Sequence, residues 1–78
     1  MRKKTLKLVV AFDTTTQAMA MEKMCREEGL SGRLIPLPGA VSAGCGFSWC
    51  TDISLREETE GKMQEHSIRY EGIYEVLV

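Results

Sequence analysis

The sequence is poor in the residues from which catalytic and metal centres are built. It holds one histidine and three cysteines in 78 residues, an odd number that no disulfide framework pairs completely. Structural zinc takes four ligands, and Cys25, Cys45, Cys50 and His66 are the whole Cys/His set. The C-x4-C spacing of Cys45 and Cys50 is weak metal evidence, so neither a metal nor another cofactor is expected. No Ser-His-Asp order, P-loop, G-x-G-x-x-G or zinc-peptidase motif is present. An enzyme with a complete active site of its own is therefore not expected in so short a chain. An excess of charge is also missing: ten Lys/Arg face eleven Asp/Glu, a net charge of −1. That excludes a general polyanion binder, which needs surplus Lys and Arg to hold phosphates. Long apolar runs are absent too. Leu8–Phe12 is the longest, far short of the ~20 residues that span a bilayer. Met1-Arg2-Lys3-Lys4 is basic like a signal n-region, but Lys7 and Asp13 confine the apolar stretch and no small-residue cleavage site follows. The expectation is a cytoplasmic protein without a membrane segment.

What is present is ordinary for a folded domain: 44% apolar and 27% charged residues, too hydrophobic for disorder. With no repeat, linker or low-complexity segment, residues 1–78 read as one domain. A chain this short buries only about 60% of its unfolded surface, which gives a thin core and little room for a deep pocket.

Thr5 to Phe12 alternates at period two, with Leu6, Leu8, Val10 and Phe12 on one face, and reads as a strand. A helix follows, capped by Asp13 or Thr14, with Thr14-x-x-Gln17 fitting a capping box. Ala18, Met21, Met24 and Cys25 are its apolar stripe, and Gly29 ends it in a left-handed conformation. Cys25 belongs to that stripe and reads as core. A short strand ends at Ile35, stopped by Pro36-Leu37-Pro38. Ala40 to Gly46 is a small, glycine-rich loop. Phe47 to Thr51 is the third strand, with Phe47 and Trp49 on one face. Asp52 or Ser54 caps a second helix, Ser54-x-x-Glu57 being a candidate capping box. Leu55, Thr59, Met63 and His66 supply its thin inner stripe, and Gly61 weakens it by roughly 1 kcal/mol relative to alanine. Tyr70 to Val78 is the last strand. This β-α-β-β-α-β order predicts an α+β, ferredoxin-like fold: a four-stranded antiparallel sheet with two helices on one face. The fold alone decides no function.

The chemistry-bearing segment is Arg33 to Cys50. Cys45 lies between Gly44 and Gly46, with Ser42 nearby. Flanking glycines let backbone N–H groups approach the sulfur, and successive N–H groups form an anion-binding nest. A nest stabilises the thiolate, the reactive form of cysteine. In the plainer reading the glycines only make the turn and Cys45 fills space. Cys50 is a second thiol, read as packing or surface rather than as a resolving partner. If both cysteines lay on one strand, their odd separation would point them to opposite faces. His66 sits at the end of the second helix, where the helix dipole favours a cation, and has no local link to Cys45.

The runs Arg33-Leu34-Ile35-Pro36-x-Pro38, Ser42-x-x-Cys45-Gly46 and Ile68-x-Tyr70-Glu71-Gly72-Ile73-Tyr74-Glu75 resemble a family of small bacterial and archaeal proteins, the selenium/sulfur carrier protein-like domains, over nearly the whole chain. The resemblance implies that Cys45 is the motif cysteine, carrying a persulfide or selenide. It also implies partners: a sulfur or selenium donor, such as a cysteine desulfurase, and an acceptor protein. Gly39 departs from the pattern, since many members carry a basic residue there that would help hold an anionic persulfide. Arg33 is the substitute cation if the fold brings it near.

Two other readings compete with a carrier. Gly46-Phe47-Ser48-Trp49 loosely echoes the aromatic third strand of an RNA recognition motif; aromatics facing outward would stack bases, whereas aromatics facing the helices are core. The alternative is a protein-interaction or ligand-binding module, a homodimer or a complex with another partner, using an open sheet face that carries Val9, Ala11, Ile73 and Leu77.

Overall fold

The computed structural model describes residues 5–38 and 46–77. Leu6–Ala11 forms β1, Thr15–Glu28 forms α1, Arg33–Pro36 forms β2 and Phe47–Asp52 forms β3. A 3-10 turn at Ile53–Leu55 leads into α2, Arg56–Glu65, and Gly72–Leu77 forms β4. The sheet order is β2-β3-β1-β4, and every neighbouring pair is antiparallel. Strand β3 runs against both β1 and β2, so β1 and β2 are parallel with β3 between them. This is the split β-α-β unit of the ferredoxin-like fold, in the element order the sequence predicts.

Helix α1 forms where its local sequence dictates. The Thr14 side chain accepts from the Gln17 backbone N–H at 3.2 Å. Gln17 reaches back past Thr14 to accept from the Asp13 N–H at 2.9 Å, which ties down the residue before the cap. Gly29 closes the helix at φ 69°, and its N–H donates to the Cys25 carbonyl. Ala18, Met21, Met24 and Cys25 are the buried residues of α1. They pack with Val10, Phe12 and Trp49 of the sheet side and with Met63 of α2. Both helices therefore cover the same sheet face.

Helix α2 starts differently from the expectation. Ile53–Leu55 takes a 3-10 turn, Leu55 stands at the N-cap, and no side chain caps the helix. Neither Asp52 nor Ser54 serves there, because the turn moves the helix start downstream of both. Thr59 and Met63 are its buried residues, while His66 is exposed.

Strand register fixes the two faces, since paired residues of antiparallel strands share a side. Lys7, Val9 and Ala11 stand opposite Asp52, Cys50 and Ser48, and Ile35 and Arg33 opposite Ser48 and Cys50. These side chains, with Tyr74 and Val76, form the face away from the helices. Ile73 and Leu77 pair with Val10 and Leu6, so they lie on the helix face instead of the open one. Val9, Ala11 and Ser48 are fully buried even so, and the Ser48 hydroxyl has no hydrogen-bond partner.

Gly32 is required by a close approach. Its φ of +142° disfavours a side chain, and a Cβ there would lie 2.6 Å from the Trp49 indole nitrogen. The tryptophan at the core edge and the glycine before β2 thus fix each other's place.

Candidate functional site

Strands β2 and β3 form a hairpin whose last register pair is Pro36 with Phe47. Beyond that pair the Leu37 N–H donates to the Gly46 carbonyl at 2.9 Å. Gly46 has φ +77°, and a Cβ there would meet nothing within 4 Å. The glycine is needed for its left-handed backbone, which costs other residues roughly 1–2 kcal/mol, and not for space. Gly46, the residue after Cys45, is thus held at the mouth of the hairpin. Ser42, Gly44 and Cys45, together with Gly39, lie outside the described residues.

Ala11 pairs with Ser48 on one side and Gly72 on the other. The hairpin mouth, the end of β1 and the start of β4 therefore share one end of the sheet. Helix α1 begins from this end, four residues after Ala11, so its N-terminus, the positive end of the helix dipole, belongs to it as well. Pro36 is the β2 residue at this end, whereas Arg33 pairs with Cys50 three positions away. Arg33 is placed beside Cys50 and not at the hairpin mouth.

The two described thiols are both poor thiolates. Cys25 is buried in the core, and desolvation pushes its thiol up to about 11. Cys50 is half-buried on the open face. Desolvation raises its pKa most, Lys7 and Arg33 oppose the rise, and Asp52 adds to it. It lines a shallow hollow of about 280 Å³ with Lys7, Ser31 and Arg33. From Gly46 to Cys50 is roughly 13 Å along an extended strand, so Cys50 is set well back from the mouth.

His66 is occupied elsewhere. Its Nε2 lies 2.7 Å from a Glu28 carboxylate oxygen, and Lys62 lies 3.2 Å from the other. Glu28 is held below its ordinary pKa, by the His66 hydrogen bond first and then by Lys62. This cluster joins the C-terminal ends of both helices, about 20 Å along α1 from the helix start near the mouth. No histidine-led base is built there for a cysteine. Sequence reasoning did not foresee the cluster, because Glu28 and His66 are 38 residues apart and no local spacing links them.

Among the described residues, no group of three or more His, Cys, Asp or Glu is arranged to hold a metal. No described helix is long and apolar enough to cross a membrane. Trp49 is 4% exposed and packs under the helices, and Phe47, on the same face, is 45% exposed. The aromatic pair of the third strand therefore builds no base-stacking platform on the open face, which removes the argument for an RNA recognition motif.

Comparison with curated proteins and with solved structures returns no match. A family model described as "Putative Se/S carrier protein-like" matches residues 7–75, a span that runs from the first strand into the last. The chain belongs to this Se/S carrier protein-like family.

Proposed function

We propose that the protein is a sulfur or selenium carrier whose working group is Cys45. The family match across residues 7–75 carries the reading. Two physical observations support the choice of cysteine. Burial holds the Cys25 and Cys50 thiols toward their protonated forms, and thiols, unlike thiolates, are poor nucleophiles. Gly46, the residue after Cys45, is held at a hairpin mouth that shares its sheet end with the N-terminus of α1, where an anion is favoured.

The chemistry is thiol–disulfide exchange in form. The Cys45 thiolate attacks the outer sulfur of a persulfide on the donor protein. A new S–S bond forms on Cys45 as the donor's S–S bond breaks, and the donor leaves as a thiolate. An acceptor nucleophile then attacks the same outer sulfur and releases Cys45 as thiolate. No net oxidation occurs at either step. The carrier needs a donor, such as a cysteine desulfurase, and an acceptor protein, but no cofactor of its own. Selenium would follow the same course.

Intact mass after incubation with a cysteine desulfurase and cysteine tests this. Wild type and Cys50→Ala should each gain a reducible mass of about one sulfur atom, and Cys45→Ala should gain none. An adduct that persists in Cys45→Ala would move the site, and no adduct with several competent donors would sink the carrier.

A further inference from the structure

Away from the Cys50 hollow lies a groove of about 710 Å³ between α2 and the start of β4, lined by Glu57, Glu60, Gly61, Met63, Tyr70 and Ile73 among others. Met63 and Ile73 make an apolar floor continuous with the core. Tyr70, 45% exposed, contributes a half-open aromatic wall.

Two features of the groove stand out. The first is its charge. Arg56 is the cation of its lining, and it is taken up by Glu60 at 2.6 Å and by Glu75. Of the charged lining residues, Glu57 and Glu60 outnumber Arg56, whose guanidinium is shared with Glu75 outside the groove. The second is Gly61. A glycine inside a helix weakens it, and such a cost is normally offset by a close contact. Here a Cβ at Gly61 would meet nothing within 4 Å. The bare position serves no packing in the free chain; its effect is to leave the groove open above the Met63 floor.

We propose that this groove docks a partner protein through an aliphatic side chain flanked by Lys or Arg. The apolar floor takes the aliphatic group, and the net negative charge of the lining, Glu57 and Glu60 against Arg56, selects the basic flank. That this partner is the sulfur donor or acceptor rests on the carrier reading above. The topology suits it: Gly72, just past Tyr70, pairs with Ala11, which pairs with Ser48. Two interstrand spacings, about 10 Å, separate the groove's end of β4 from the strand that leads back to the hairpin mouth.

The probe is a blocked heptapeptide with a central leucine pair flanked by lysines, titrated into the full chain and followed by backbone amide shifts. Saturable shifts at Gly61, Met63 and Ile73 are expected, with little response to the same peptide carrying glutamates. Gly61→Leu, whose Cβ would meet nothing within 4 Å, and Glu57→Lys should each weaken binding tenfold or more. Absence of shifts, equal shifts with the acidic peptide, or shifts mapping elsewhere would overturn the proposal. Shifts that depend on protein concentration without peptide would give the groove to a second copy and overturn it as well. Persulfide loading of Cys45 is scored separately. Its failure would remove the carrier reading and leave the groove standing on the peptide result.

Discussion

The two helices cover one sheet face but are built to different standards. Helix α1 has a hydrogen-bonded N-cap, a left-handed glycine at its C-cap and four buried residues over 14. Helix α2 has no side-chain cap, two buried residues over ten and a glycine in its middle. A short helix that forgoes caps and propensity is held by its neighbours, because isolated helices of that length are marginal in water. Met63 in the core, the Arg56 pair with Glu75 of β4 and the Lys62 pair with Glu28 of α1 do the holding. The contrast teaches a division of labour: α1 is framework, whereas α2 is tethered at a few points and turns most of its surface outward.

The largest break in this comparison should come from the α1 interior. Met21 is fully buried in the shared core, and Met21→Ala should cost about 2–5 kcal/mol, read as a lower urea midpoint. Exposed positions of α2, Glu58 or Gln64 to Ala, should stay within about 0.5 kcal/mol. Cys25, on the same stripe, sharpens the point without mutation. With its thiol pushed up to about 11 and buried, it should react with iodoacetamide at pH 8 at least about a hundredfold more slowly than an ordinary exposed thiol. Cys50 should fall between it and Cys45, by peptide mapping. Fast labelling of Cys25 in the folded protein would contradict the packing described for α1.

What the sequence disclosed tracks this same division. The α1 stripe, its Thr14 cap and its Gly29 stop were legible because each rests on contacts within one helix or one turn, which periodicity and residue type report directly. The element order followed from the same local signals. The start of α2 was not legible: Ser54 and Glu57 have capping-box spacing, but a 3-10 turn at Ile53–Leu55 places the helix beyond Ser54. The side on which Ile73 and Leu77 lie depends on cross-strand register with β1, which one strand's pattern does not contain. Of the candidate site, Gly46 was read as a glycine supporting Cys45 or, more plainly, as a turn residue; its left-handed backbone accords with the plainer reading and does not test the other. The placing of Arg33 beside Cys50 instead of the hairpin mouth came only with strand pairing, and Ser42, Gly44 and Cys45 keep the standing that sequence and family give them.

The caps provide a mid-sized test of the comparison. Thr14→Ala removes the oxygen that accepts from Gln17 and should cost about 1 kcal/mol. Ser54→Ala removes no cap bond and should be close to silent. Gly61→Ala should go the other way and stabilise α2 by roughly 0.5–1 kcal/mol, since nothing stands where the methyl would go. If Ser54→Ala matched Thr14→Ala in thermal melts, α2 would be capped after all and the two helices would not differ in kind.

The smallest effect belongs to the place where, among the described residues, the helices meet through charge. Glu28, near the end of α1, accepts from His66 and pairs with Lys62 of α2, and its pKa is held below the ordinary value. A carboxyl whose folded pKa is depressed binds its proton more readily in the unfolded chain. Its contribution is therefore complete above the ordinary value of 4.5 and fades as pH falls through the lowered one. Acid should loosen the junction between the helices before it disturbs the Met21 core. Glu28→Gln should lower stability slightly near neutral pH and flatten the acid limb of the melting curve relative to wild type. The difference between the two proteins isolates this carboxylate from the others that titrate alongside it. The effect should be modest and shrink with added salt, because the cluster is open to solvent. An acid limb that is identical in the two proteins would mean that the helices are joined by the Met63 contact alone.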